Sequence, residues 1–103
     1  MTLGELKELL ESTGLPVTYR KWPENAAPPL PNIVWLTPYT SNFAADGKTY
    51  YIVHHAQIEL YTKNKDPESE DKVESALSSI FWEKTETYIN TEECYQILYE
   101  IEV

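Results

Sequence analysis

KTYYIVHHAQIELYTK, residues 48–63, is the stretch whose reading decides the fold. Its even positions are Tyr50, Ile52, His54, Ala56, Ile58 and Leu60. Its odd positions are Tyr51, Val53, His55, Gln57, Glu59 and Tyr61. A two-residue period sends neighbours to opposite faces of a strand. The even set is the better core face in the second half, and the first half is apolar on both sides. The reading is one long strand, about residues 48 to 63, and everything else must be arranged around it.

Downstream, the start signals of a helix are clear. Asp66 is a good N-cap, Pro67 fits the first helical position, and Glu68, Glu70 and Asp71 complement the positive helix end. Val73, Ala76, Leu77, Ile80 and Phe81 follow the spacing of one buried face. The tail then reads as a hairpin: Glu83 to Ile89, a turn at Asn90-Thr91-Glu92, and Glu93 to Val103. In its second strand Tyr95, Ile97, Tyr99, Ile101 and Val103 share one face.

Upstream, residues 40–47 read as a loop whose Asp46-Gly47 pair suits a tight turn. Ile33-Val34-Trp35-Leu36 is an apolar run typical of a strand buried on both faces, with Pro38 ending or edging it. Residues 23–31 hold four prolines and are expected to run extended. Val17 to Trp22 reads as a strand. The first element is a helix capped by Thr2 and Glu5, with Leu3, Leu6, Leu9 and Leu10 on one face, stopped by Gly14 and Pro16. The element order is therefore α-β-β-β-α-β-β. The expected architecture is α+β: one mostly antiparallel sheet with both helices on one face.

The 103 residues fit one domain, residues 1–103. Seventeen acids against eight bases give a net charge of −9. That field repels phosphates, so sequence-specific nucleic-acid binding and attraction to an anionic membrane are both disfavoured. No run approaches the length of a membrane span, and no signal peptide is visible at Met1-Thr2-Leu3-Gly4-Glu5. The single cysteine, Cys94, cannot form an internal disulfide. A cytosolic protein, or one assembled in the cytosol, is expected.

Candidate chemistry is thin. His54 and His55 are neighbours in a strand and point to opposite faces, so they cannot jointly hold one metal. Cys94 lies among Glu92, Glu93 and Glu100, which raise a thiol pKa rather than activate it. The acids Asp66 to Asp71 are explained by the helix start without a calcium ion. No cofactor, metal or catalytic residue is expected, and the chain reads as a non-enzyme. The informative residues are apolar groups at element ends and in connections: Trp22, Leu30, Phe43, Tyr50 and Trp82. Two explanations stand. Another protein chain covers them, or the two long loops fold back over the uncovered sheet face.

Several segments, in order, carry a resemblance: Leu15-Pro16-Val17, Pro28-Pro29-Leu30-Pro31, Asn42-Phe43-Ala44-Ala45-Asp46-Gly47-Lys48, Ile58-Glu59-Leu60-Tyr61-Thr62 and Lys65-Asp66-Pro67. With the ending Tyr99-Glu100-Ile101-Glu102-Val103, they resemble small tail-component proteins of Gram-positive siphophages and prophages. By element order the chain is similar to the phage tail-terminator, or head–tail joining, family. The resemblance implies a structural virion protein, assembled in the bacterial cytoplasm into a hexameric ring at the end of the tail tube. It implies self-association and contact with other tail or connector proteins, and no catalytic residue. The alternative is an acidic protein-binding module, such as a DNA mimic that occupies a nucleic-acid-binding enzyme.

Overall fold

The computed structural model describes residues 1–103, the side chains of Ala45 and Tyr50 excepted. Seven elements follow in the expected order: α1 (Leu3–Glu11), β1 (Val17–Tyr19), β2 (Asn32–Ala45), β3 (Lys48–Thr62), α2 (Pro67–Ala76), β4 (Trp82–Ile89) and β5 (Cys94–Glu102). The strands form one five-stranded sheet in the order β1-β2-β3-β5-β4. The sheet is mixed: β1 runs parallel to β2, and the other pairs are antiparallel.

Local chemistry explains both helix starts. The Thr2 hydroxyl accepts from the Glu5 amide at 3.1 Å while the Glu5 carboxylate accepts from the Thr2 amide at 3.1 Å. Asp66 accepts from the Ser69 amide at 3.1 Å, and Pro67 opens α2.

The register places Ile33, Leu60 and Ile97 side by side, then Trp35, Ile58 and Tyr99, then Ala56 and Ile101. These share one face of the sheet. Leu6 and Leu10 of α1 and Val73 and Leu77 of α2 join them in one buried cluster, so both helices cover that face.

Three details differ from the sequence reading. First, β2 does not end at Pro38 but runs on to Ala45, so the expected loop 40–47 is mostly strand. The pairing shifts between Leu36 and Tyr39, and Pro38 sits at that irregularity, beyond the last residue of β2 that β1 reaches. A proline at a bulge on an open edge loses no ladder bond. Second, α2 stops at Ala76, and Phe81, expected on its buried face, is 81% exposed. Ser78 and Ser79 are weak helix formers, and Leu77 turns the chain out of the helix. Third, β1 is shorter than residues 17–22, because Arg20 adopts a φ of 72° that a strand cannot continue.

Candidate functional site

The longest departure from a compact body is the β2–β3 hairpin. Pairing of β3 with β5 begins only at His55, with the His54 and Val103 backbones exchanging two bonds of 2.8 Å beside it. Pairing of β1 with β2 stops at Trp35. Residues 37–45 and 48–53 therefore form a two-stranded arm, closed by a turn at Asp46 and Gly47, both with positive φ. It helps give the molecule its 50 Å long axis. Tyr39, Phe43 and Tyr51 stand on one face of the arm, 59%, 61% and 63% exposed, with Phe43 and Tyr51 ring centroids 6.0 Å apart. Ile52 is exposed on the opposite face.

The five anticipated interface residues separate into three places. Phe43 is on the arm. Tyr50 lies on the arm too, but its side chain is outside the described residues. Trp22 and Leu30 come together on the sheet face opposite the helices, where they line a hollow of about 490 Å³ with Asn32, Val34, Tyr61 and Cys94. The proline-rich loop thus folds back over its own sheet, and the Asn32 amide donates to the Pro28 carbonyl at 3.3 Å. Beneath it, Gln96 donates to Glu59 at 2.9 Å and to the Tyr61 hydroxyl at 3.0 Å, and Tyr61 donates to Glu59 at 2.7 Å. Burial, then the bond to Glu59, push the Tyr61 hydroxyl up to about 12. Trp82 is half-buried on the helix side, edge-on to Tyr99 with centroids 5.5 Å apart. The reading missed Tyr39, Tyr51, Ile52 and Phe81 as exposed groups. For Tyr51 and Ile52 the signal was the apolar character of both faces of residues 48–53, which no covering element in the sequence accounts for.

The arm's register also assembles a row that sequence spacing did not reveal. Ser41 Oγ lies 2.7 Å from His55 Nε2, and His55 Nδ1 lies 3.7 Å from Glu102 Oε1. Tyr39 stacks on the His55 ring at 4.2 Å. Hydroxyl, imidazole and carboxylate in this order are the parts of a nucleophile–base–orienter set. The surroundings oppose that use. The two-residue alternation from the His54–Val103 pair directs the Ser41 and Val53 backbones at each other, so the Ser41 amide is spent in the ladder. Glu83, Glu100 and Glu102 line the adjoining groove of about 440 Å³ and would destabilise an oxyanion rather than hold it.

His54 and His55 diverge to opposite faces, and no group of three or more metal-binding side chains occurs among the described residues. Cys94 is buried, and burial, then Glu92, raise its thiol. No helix is long and apolar enough to cross a membrane. No family model and no curated protein sequence matches the chain.

Proposed function

We propose that this chain is a structural subunit that assembles with copies of itself and with partner proteins, as a tail-terminator or head–tail joining subunit of a phage would. In that reading it forms a ring, six subunits by resemblance, at the end of the tail tube. The arm carries the proposal. A two-stranded hairpin is marginal in water on its own, and this one exposes apolar groups on both faces. It is also nearly neutral: residues 37–55 hold one acid, Asp46, and one base, Lys48, in a chain of net charge −9. An arm of that composition approaches another acidic copy without like-charge repulsion. The proline-rich loop is the lesser contributor, since Trp22 and Leu30 are partly used on their own sheet.

Negative-stain microscopy of concentrated protein tests the reading, with rings as the expected result. Phe43→Asp should abolish them while leaving the circular dichroism spectrum and melting temperature unchanged. Rings unaffected by Phe43→Asp would remove the arm from the interface, and a wild-type chain that never assembles, alone or on tail tubes, would remove the function.

Two other readings are less well supported. A DNA mimic needs free acids, and Glu70, Glu74 and Glu86 are tied to Lys65 and Lys84. The Ser41–His55–Glu102 row favours a weak hydrolase. Its check is release of p-nitrophenol from an acetyl ester, where Ser41→Ala and wild type are expected to be equal.

A further inference from the structure

β4 ends the sheet, and among the described residues no strand pairs with its outer side. Its open side can be identified. The His54–Val103 exchange fixes the odd residues of β5 as those bonded to β3, so its even residues face β4. The β4–β5 register pairs Glu83 with Glu100, Thr85 with Leu98 and Thr87 with Gln96. The outward donors and acceptors of β4 therefore belong to Trp82, Lys84, Glu86 and Tyr88.

An open edge is normally guarded by shortness, a proline, a bulge or an overhanging lysine. This one has eight residues, no proline and no register shift. Its one lysine is turned away: Lys84 reaches to Glu70 at 3.1 Å and Glu74 at 2.8 Å on α2, and Glu86 is held by Lys65 at 2.6 Å. The helix-side charges leave the edge itself bare.

We propose that β4 is a self-complementary edge, through which two copies of this chain pair antiparallel across a two-fold axis at Thr85. The two sheets become one continuous sheet. The sequence of the strand selects this occupant and this register. With the axis at Thr85, Lys84 stands opposite Glu86 of the second copy, Glu86 opposite its Lys84, and Trp82 opposite its Tyr88. These are the residues whose backbones face outward, so hydrogen-bond alternation and charge sign agree, while Lys84 and Glu86 keep their own-chain partners beside the seam. On the other face Glu83 meets Thr87 and Thr85 meets itself, and no like charges oppose. Moving the axis to Lys84 sets lysine against lysine, and moving it to Glu86 sets glutamate against glutamate, both unfavourable. The contact is isologous and closes at two copies. It does not depend on the arm or on the tail-terminator reading.

Cysteine cross-linking of the full chain tests it. Thr85 is exposed, and as a non-hydrogen-bonded pair across the axis its two copies would lie about 4.5 Å apart at Cα. That is within the range a disulfide spans, about 4.4–6.8 Å. Thr87 residues of the two copies would be about 13 Å apart at roughly 3.3 Å per residue. Cys94 is buried and does not compete. Under mild oxidation Thr85→Cys should link into a covalent dimer and Thr87→Cys should not. At concentrations too low for ring assembly, wild type should sediment at twice 11.9 kDa. Glu86→Pro, which removes one outward amide, should sediment at 11.9 kDa, with Glu86→Gln as the control that keeps it. Phe43→Asp should leave the cross-link unchanged, which separates this pairing from any contact made by the arm. A wild-type chain at 11.9 kDa, or Thr85→Cys linking no better than Thr87→Cys, overturns the proposal even if Glu86→Pro fails to fold.

Discussion

Tyr99 is fully buried, yet its hydroxyl donates to Glu74 Oε2 at 2.7 Å. Burial, then that bond, raise its hydroxyl well above the ordinary range. Tyr99→Phe removes a charge-assisted bond while Glu74 keeps Lys84, so the expected loss is about 1.5 kcal/mol, near the low end for such bonds. Urea denaturation would measure it. Leu77 and Phe81 make a sharper contrast, because the sequence puts them on one helical face and the structure does not. Leu77→Ala should cost about 2–5 kcal/mol, and Phe81→Ala about 0.5 kcal/mol or less. Equal losses would restore the longer helix. Three shifted groups, Glu70, Tyr61 and Tyr99, contribute to the pH response. Burial alone would push the Glu70 carboxyl up, but Lys65 and Lys84 more than reverse this and hold it below the usual range. A lowered folded pKa contributes stability that is present above the unfolded value and lost as pH falls through the folded one. The melting temperature should therefore drop below about pH 4.5, less so in Glu70→Gln. Tyr61 and Tyr99 act with the opposite sign. Their raised pKa values contribute stability present below the unfolded value near 10 and lost between that pH and about 12 for Tyr61. Alkaline unfolding monitored by tyrosinate absorbance should begin in that window.

The arm is where the elements depart most from local signals. Pro38 read as a strand end because it cannot donate to a ladder, but it falls in the register shift between Leu36 and Tyr39, where it is paired with no residue of β3. The Tyr19 hydroxyl, 2.8 Å from Thr37 Oγ1 and accepting from the Thr37 amide at 3.3 Å, pins the point where the arm leaves the body. Beyond it, two strands without a third or a helix should open locally far more often than the core. Amide hydrogens of residues 39–43 and 51–53 should exchange much faster than those of residues 56–60 in the free chain. They should become protected on assembly through the arm. Slow exchange in a chain that sediments as a monomer would show the arm to be stable by itself and remove the reason for it to seek a partner.

For the whole molecule, the charge of −9 opposes any assembly of identical copies. Sixteen of the seventeen acids lie outside the arm, so the repulsion is between bodies rather than between contact elements. Screening shortens its reach to about 8 Å at physiological ionic strength. Association measured by sedimentation should strengthen as salt rises to that level, whereas binding of a DNA mimic to a basic partner would weaken. The sequence by itself determined what short-range chemistry governs: both capped helix starts, the two-residue period of residues 48–63, the final hairpin and the element order. It also carried the charge asymmetry and the self-complementary lettering of residues 82–88, although neither meant anything until an edge was known. Tertiary structure alone decided that β2 runs through Pro38, that Phe81 is exposed, that Trp22 and Leu30 turn back onto their own sheet, and that Ser41 meets His55. The physical reason is that strand pairing and loop docking depend on register between residues far apart in the chain. A proline or an exposed aromatic takes its meaning from the partner strand opposite it, and that partner is supplied by the fold.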